Sequence, residues 1–546
     1  MPFSQKLVSV EEMIAIEKAA NASGLTYEKM MANAGRGLAD VIQDRFGFLD
    51  EEGALGLIGS GNNGGDTLVA LAHLAEEGWK ADAYIVKARE KDDPLVERLV
   101  EAGGSVVQFA DDRNFAQLDR LLDEAGLLLD GVFGTGIKLP LRGDAAKTLL
   151  HVKEKIEMGG NPLLVVAVDC PSGINCASGE VAPQAIPADL TVTMAAIKRG
   201  LVSFPAFNYV GEIQLVGIGL DDDLESYQSI QRFVVDAETV FDLLPERPLD
   251  AHKGTFGTAL VVGGSLNYTG AVYLAGRAAY LSGAGLVTLG VPAPLHLALA
   301  GSLPEATWLI LPHEMGVVAK TAAPLVSKYL ERASALLIGP GFGTEETSRE
   351  FIGALLERPG VGADRRSIGF VHTEEKSEDN GEIAAMPPMI VDADGLKLLS
   401  QIPEWDQKLP GPAVLTPHPG EMAVISGLDT ADIQADRIGV AEKYAREWGH
   451  VLVLKGAFTI IAAPDGRTAL IPVATPALAR AGTGDVLAGL IVGLRAQGVE
   501  AFEAAAAAAW IHAQAGLLAE EIIGSSTSVV AGDVLEAVPY VIENLI

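Results

Sequence analysis

At 546 residues the chain is too long for a single hydrophobic core, so roughly two to four domains are expected. Its 72 acidic residues outweigh 40 Lys and Arg, and the net charge of −32 repels phosphate backbones and anionic lipid, which excludes nucleic acid and membrane surface as main partners. Cys170 and Cys176 are the only cysteines, too few for a disulfide framework or a Cys/His metal cluster; two small buried thiols are predicted.

Residues 1–10 have no basic region leading into an apolar one, so no signal peptide is expected, and the Ala-rich stretch Ala504–Ala519 is broken by His512 and Gln514 before it could span a bilayer. A cytoplasmic enzyme is expected. Short apolar runs alternate with stretches of helical period along the whole chain, the pattern of parallel sheets covered by helices. In the first half the predicted strands are Ala54–Ile58, Ala83–Val86, Leu127–Leu129, Leu163–Val168 and Leu190–Met194.

The first strand runs into Gly59-Ser60-Gly61-Asn62-Asn63-Gly64-Gly65-Asp66, with a helix expected from about Thr67. Glycines 59, 61 and 64 match a dinucleotide-binding turn, whose helix N-terminus faces a phosphate. Past the next strand, however, Lys87 stands where a ribose-binding acid is expected. The turn also carries amides and a carboxylate that an ordinary dinucleotide turn does not need. Two more loops follow strands: Asp130-Gly131-Val132-Phe133-Gly134-Thr135-Gly136 and Asp169-Cys170-Pro171-Ser172-Gly173. Ligands of open α/β sheets bind beyond the C-terminal strand ends, so the three loops should meet on one edge. Asn63, Asp130 and Ser172 would then gather oxygen ligands that suit a hard cation such as potassium or magnesium rather than zinc. Asp169 is left as an acid/base. Taken singly, each acid could equally be a turn former or helix cap.

Met31-Ala32-Asn33-Ala34-Gly35, the Asn62–Asp66 turn, Asp130 through Pro140 and Asp169 through Gly173 together resemble NAD(P)H-hydrate epimerase, over roughly residues 1–220. The resemblance implies substrate contacts at Asn62, Asn63, Gly64, Gly65 and Asp66, and at Gly134, Thr135, Gly136, Ile137, Lys138, Leu139 and Pro140. It implies potassium at Asn63, Asp130 and Ser172, and a catalytic Asp169 that touches the substrate. Ile137-Lys138-Leu139 departs from the family, where an arginine precedes the proline; Arg142 is the candidate replacement.

Between Gly219 and Lys253 the texture changes: Asp221-Asp222-Asp223, then Pro245, Pro248 and Asp250, read as an interdomain connection. Domains at 1–222 and 230–546 follow. The second half predicts strands Thr258–Val262, Leu286–Leu289, Ala335–Ile338, Met389–Val391, Ala413–Leu415 and Val451–Leu454, with a polar, mobile surface insertion at 358–388. Near its end, Arg480-Ala481-Gly482-Thr483-Gly484-Asp485 precedes a helix expected over Val486–Arg495. The glycines let successive N–H groups of Gly482, Thr483 and Gly484 point at one anion, and an acid beside such a turn is placed to take a proton from an attacking hydroxyl. A helix cap is the plainer role for Asp485. No Gly-x-x-x-x-Gly-Lys-Ser/Thr loop exists, so this is no P-loop protein.

Ala481–Leu490 resembles the ribokinase superfamily. His252-Lys253-Gly254, Val262-Gly263-Gly264-Ser265, Tyr268-Thr269-Gly270-Ala271, Gly339-Pro340-Gly341-Phe342-Gly343, Asp392-Ala393-Asp394, Thr416-Pro417-His418-Pro419-Gly420-Glu421 and Lys455-Gly456-Ala457 narrow the match to ADP-dependent NAD(P)H-hydrate dehydratase, over roughly 230–546. This resemblance implies substrate contacts at Ala271, Gly343, His418 and Asp485, with Asp485 catalytic. It implies nucleotide contacts at Lys455, Gly456, Ala457, Phe458 and Thr459 and at the Gly482-Thr483-Gly484 turn, with ADP as co-substrate and magnesium beside it. Ala474-Thr475 stands where that family has a glycine–asparagine pair.

The expected architecture is thus a Rossmann-like three-layer α/β/α domain followed by a ribokinase-like α/β/α domain, and the two halves together resemble the bifunctional NAD(P)H-hydrate repair enzymes. Implied are epimerisation of the R and S hydrates of NADH and NADPH, dehydration of the S epimer at the expense of ADP to give AMP and phosphate, and a homo-oligomer. The competing possibility is a ribokinase-type kinase of a vitamin alcohol fused to a nucleotide-binding module, which a stable phosphorylated product would distinguish.

Overall fold

The computed structural model describes residues 3–159, 162–221, 223–357 and 386–545. All but the last three residues of the expected insertion at 358–388 lie outside the described residues. The chain divides into two units, Gln5–Arg232 and Phe233–Ile546, with Phe3 and Ser4 counted in the second. Phe3 belongs there because its ring packs on Phe233 and Phe502, at centroid distances of 5.4 and 5.3 Å.

In the first unit, helices α1 (Val10–Ser23) and α2 (Tyr27–Phe46) precede strand β1 (Ala54–Ile58) and helix α3 (Asn62–Glu76). Strands β2 (Ala81–Ile85), β3 (Ser105–Gln108), β4 (Leu127–Gly131), β5 (Leu164–Val168), β6 (Leu190–Met194) and β7 (Glu212–Val216) complete a seven-stranded sheet of order β3-β2-β1-β4-β5-β6-β7. Every pairing in it is parallel. The order reverses at β1, so the C-terminal ends of β1 and β4 flank the crevice where such sheets bind ligands. A short parallel pair, Leu7–Val8 with Ile197–Lys198, lies apart from this sheet. β3 and β7 escape the sequence reading because edge strands face solvent on one side and carry no continuous apolar run; Ser105 and Glu212 are exposed.

α3 begins five residues earlier than expected, at Asn62, so the Asn-Asn-Gly-Gly-Asp segment is the first turns of the helix rather than a loop before it. Asn and Gly are poor helix formers, but packing overrides propensity here. A Cβ on Gly64 would lie 2.2 Å from the Gly59 carbonyl oxygen, and one on Gly65 would lie 2.7 Å from the Met31 sulfur. Only glycines let the helix press this closely on β1 and α2.

The second unit holds a ten-stranded sheet. Its strands are β8 (Arg232–Val234), β9 (Thr258–Val262), β10 (Leu286–Pro292), β11 (Thr307–Leu311), β12 (Ala335–Ile338), β13 (Met389–Val391), β14 (Val414–Leu415), β15 (Val451–Leu454), β16 (Ile460–Ala462) and β17 (Thr468–Leu470). Their order is β8-β17-β16-β15-β14-β13-β12-β9-β10-β11. The run from β11 to β15 is parallel, whereas β15, β16 and β17 form an antiparallel meander. The all-parallel expectation is therefore corrected to a mixed sheet. β16 and β17 have three residues each and are joined by a tight turn through Asp465 and Gly466, too short to register as apolar runs.

Helices α4 (Thr269–Leu281), α5 (Pro419–Ser426), α6 (Thr483–Ala496) and α7 (Ala501–Ile523) position the functional residues of this unit. α6 starts at Thr483, not Val486, and is almost wholly buried, as is most of the Ala-rich α7. Small side chains let these two helices and α4 sit close in one core. No described helix is long and apolar enough to cross a membrane. Both cysteines are free and buried, as expected.

Candidate active sites

The first unit carries a cavity of about 730 Å³ at the C-terminal ends of β1, β4 and β5, lined by Asn62, Asn63 and Asp66 of α3, by Gly134, Thr135, Gly136, Ile137, Lys138 and Pro140, and by Asp169. Gly64, Gly65 and Leu139, three further expected substrate contacts, do not line it. The two glycines face Gly59 and Met31, and Leu139 packs against the apolar layer beneath. Lys87, Lys138 and Arg142 bring positive charge to the wall, and Arg142 stands in the cavity as the replacement for the missing arginine requires. The glycine turn is braced from outside: Arg89 pairs with Asp93 at 2.6 Å and donates to the carbonyls of Gly59 and Gly61 at 2.8 and 3.2 Å.

Asp169 sits in the left-handed region (φ 63°), unusual for a residue with a side chain. The turn aims its carboxylate back over the sheet, where Oδ1 accepts from Lys198 Nζ, from the Met194 N–H at 3.1 Å and from Thr193 Oγ1 at 3.3 Å. Oδ2 is left for a ligand. Lys198 is 1% exposed and also donates to Thr193 Oγ1 and the Met194 carbonyl, so it fixes the carboxylate from behind. The sequence reading missed Lys198; its one signal was a lysine closing the apolar run Ala195-Ala196-Ile197. Burial pushes the Asp66 carboxyl well up, with the charges of Asp169 and Glu17 adding to it and Lys198 opposing.

The three expected metal residues converge below the cavity floor, around the Val132–Phe133 turn. Asp130 and Ser172 are fully buried. The Ser172 N–H donates to Asp130 Oδ2 at 2.7 Å, Phe133 N–H donates to Ser172 Oγ at 2.9 Å, and Asn63 Nδ2 donates to the Phe133 carbonyl at 2.9 Å. Burial raises the Asp130 carboxyl, and its hydrogen bonds from Ser172 and Val132 only partly compensate. Among the described residues, Asn63 Oδ1 is buried with no hydrogen-bond partner. An orphaned amide oxygen beside a buried carboxylate and a hydroxyl fits a hard cation held by oxygen ligands.

In the second unit, Gly482 takes φ 92°, which lets the chain turn directly into α6 with no side chain capping that helix. The Thr483 N–H donates to the Arg480 carbonyl at 3.4 Å, and the N–H groups after it in the first turn have the arrangement that suits an anion. Asp485, in the first turn, is pushed up to about 7 by burial and by the neighbouring Asp392, Asp394 and Glu421, with Lys455 opposing. Lys455 Nζ lies 2.8 Å from Asp392 Oδ1 and 3.6 Å from Glu421 Oε2. Burial works against the Lys455 charge, but Asp392 and Glu421 raise it on balance. Asp392 also accepts from Thr416 Oγ1 at 2.6 Å, while its Oδ2 is buried and, among the described residues, unpartnered. That orphan oxygen beside the anion turn fits a divalent cation.

A cavity of about 490 Å³ runs along this turn, lined by His418, Lys455, Gly456, Ala457, Thr459, Thr483 and Gly484. Ala271, Gly343, Phe458, Gly482 and Asp485 are not in its wall. Phe458 is buried, and the Gly343 N–H is occupied by Asp394 Oδ2 at 3.1 Å. His418 caps α5 through Nδ1, accepting from the Gly420 and Glu421 N–H groups, and its Nε2 lies 3.3 Å from Glu421 Oε1. Ala474 and Thr475 do line the cavity; Thr475 Oγ1 is engaged with Glu520 Oε2 at 2.5 Å. Two contributors were not foreseen. Arg437 donates to the Leu454 and Lys455 carbonyls and braces the nucleotide loop from behind, and His512 of α7, neutral because burial drops it to about 4, adds its ring to the inner wall.

Residues 259–539 match the family described as NAD(P)H-hydrate dehydratase, and residues 27–200 match that described as YjeF-related protein N-terminus. A Moorella thermoacetica protein described as bifunctional NAD(P)H-hydrate repair enzyme Nnr is 35% identical over 99% of this chain and 97% of its own length. A Salinibacter ruber protein of the same description is 35% identical over 95% of this chain and 92% of its own. A solved structure, the ADP/ATP-dependent NAD(P)H-hydrate dehydratase of Bacillus subtilis co-crystallised with ATP/Mg2+, is 30% identical over 57% of this chain and 98% of its own, with TM-score 0.46. With both family matches in order along the chain and relatives aligned over nearly its whole length, the chain belongs to the bifunctional NAD(P)H-hydrate repair enzymes.

Proposed function

We propose that the chain repairs hydrated reduced nicotinamide nucleotides, interconverting the two hydrate epimers in the first cavity and dehydrating the S epimer in the second unit at the expense of ADP, with the second cavity taking the nucleotide. The observation that carries this reading is Asp485, a carboxylate tuned to about 7 beside an uncapped helix start and a buried lysine. A proton acceptor at an anion site is what phosphoryl transfer to a hydroxyl requires.

In the first cavity, Asp169 Oδ2 takes the proton from the ring hydroxyl, the ring C–N bond opens to an aldehyde, and reclosure on the other face gives the opposite epimer. Lys198 and the Met194 N–H hold Asp169 in register for this. Lys87, Lys138 and Arg142 offset the protein's negative field for an anionic nucleotide. In the second unit, Asp485, in the first turn of α6 beside the second cavity rather than in its wall, deprotonates the hydroxyl, whose oxygen takes the β-phosphoryl group of ADP and releases AMP. The ring nitrogen then expels phosphate, and loss of a proton from the adjacent carbon restores the dihydronicotinamide. Lys455 and the N–H groups of Gly482 and Gly484 would face the transferring phosphoryl group, the Thr483 N–H being given to the Arg480 carbonyl. Magnesium would be held by Asp392 and would supply charge neutralisation there; the buried Asp392 Oδ2, unpartnered among the described residues, supports this reading. Two unpaired buried cysteines suit a cytoplasmic setting.

Asn63, Asp130 and Ser172, with the Phe133 carbonyl, are the residues that would hold potassium, whose charge steadies the cavity floor. Asp130→Ala is expected to abolish the potassium response and to slow epimerisation by roughly tenfold to a hundredfold, the range typical for loss of a site-organising group around a metal. Epimer ratios followed by chromatography across a potassium titration check this. An unaltered potassium response in the folded variant removes Asp130 from the site.

A further inference from the structure

The ring-opening step needs a proton at two places. The hydroxyl proton leaves to Asp169, and the ring nitrogen, which receives the C–N bonding pair, must gain one. From the geometry of the first cavity we infer that Glu17 supplies it, a role that rests on the epimerase reading above. Glu17 lies on α1, outside the residues matched to the N-terminal family at 27–200. α1 buries Met13, Ile16 and Ala20 and turns Met13, Ile14 and Glu17 to the cavity, so the wall it builds is apolar apart from one carboxyl. Ile14 is 56% exposed, as a side chain at the mouth of a ligand cavity would be.

Glu17 is half-buried and, among the described residues, makes no ion pair or hydrogen bond. A carboxyl withdrawn from water without a partner is an unfavourable arrangement that packing alone does not require. The charged groups facing it are Asp169 and Lys198, with Asp66 close enough to sense its charge; Lys87, Lys138 and Arg142 line the rest of the cavity. Burial, then the Asp169 charge, raises the Glu17 carboxyl, with Lys198 opposing. Three carboxyl groups line the cavity: Asp66 at the start of α3, Asp169, tied to a lysine, and Glu17, which among the described residues is tied to nothing; Asp169 and Glu17 differ most in what holds them. Such a division marks a base and an acid.

The step balances. Asp169 accepts the O–H proton, the C–N bond breaks with its pair going to nitrogen, and Glu17 protonates that nitrogen. After the aldehyde turns its other face, the nitrogen attacks the carbonyl carbon and returns its proton to Glu17, while the alkoxide recovers a proton from Asp169. Glu17 must start protonated, so epimerisation falls as pH rises through its raised value.

The test uses the full chain with purified R hydrate, the epimers being resolved by chromatography across a pH series. Glu17→Gln is expected to slow epimerisation roughly a hundred- to ten-thousand-fold and to remove the fall at high pH. Reduced dinucleotide should still bind the first cavity, and Glu17→Asp should recover part of the rate. An epimerisation rate within about threefold of wild type, or a slower one that keeps its high-pH fall, overturns the assignment. Wild-type protein that leaves the epimers unchanged overturns the epimerase reading itself, a separate outcome.

Discussion

Replacing Asp485 by Asn is expected to lower ADP-dependent dehydration roughly a hundred- to ten-thousand-fold, the usual cost of losing a positioned general base, while epimerisation continues. The wild-type pH profile should carry the same signature. Burial and its acidic neighbours push Asp485 up to about 7 in the empty site, so kcat/KM for dehydration climbs as pH rises through about 7 and levels off above it. Stability has the opposite sign. Because the folded value is raised, the fold favours the protonated carboxyl, and stability is lost as pH rises from the ordinary carboxyl range through about 7. That loss is on the order of a few kcal/mol when the site is empty of nucleotide. Asn carries no such charge, so the variant should melt at or above the wild-type temperature at pH 8, as calorimetry would show. Asp485 is not acting as a cap: Gly482 holds the cap position of α6 and no side chain bonds there. A variant that melts early yet turns over near-normally would restore the capping role and remove the base from the mechanism.

Asp169→Asn should have an effect of similar size on the other half-reaction, with a built-in complication. Lys198 is 1% exposed, and removing the charge of its partner leaves a buried ammonium uncompensated, a loss of about 3–5 kcal/mol in comparable sites. The single variant therefore melts lower and loses epimerisation by roughly a hundredfold or more. Adding Lys198→Met removes the stranded charge, so the double variant should recover much of the melting temperature and none of the epimerisation. Recovery of epimerisation along with stability would mean that Asp169 only holds the fold together. In both variants dehydration of the S epimer is expected to proceed normally.

Much of this was readable in the sequence because the chemistry sits where sheets of this kind must put it. Asp130 and Asp169 follow apolar runs directly, and Asn63 and Ser172 come within a few residues of them, so strand ends bring all four to one edge whatever else the chain does. Asp485 is likewise fixed by the glycine turn before it. What stayed hidden arrives from elsewhere in the chain. Lys198 comes from a two-residue strand pairing with Leu7–Val8, Glu17 from a helix before the first sheet strand, and Arg437 and His512 from helices whose periodicity reads as ordinary surface or core. No local pattern reports a side chain that meets its site only through tertiary packing. The turn at Asn62–Asp66 failed differently: glycine content argued for a loop, and the demand for close packing on Gly59 and Met31 made it a helix.

The most direct measurement of the central claim gives the intact chain an equilibrium-free mixture of R and S hydrates with ADP and magnesium, following reduced-nicotinamide absorbance while AMP and phosphate are counted. The account predicts complete conversion of both epimers in one continuous phase, with one AMP and one phosphate formed for each nicotinamide restored. A stable phosphorylated hydrate, or conversion that stops at the S fraction and proceeds only at the spontaneous epimerisation rate, would contradict it.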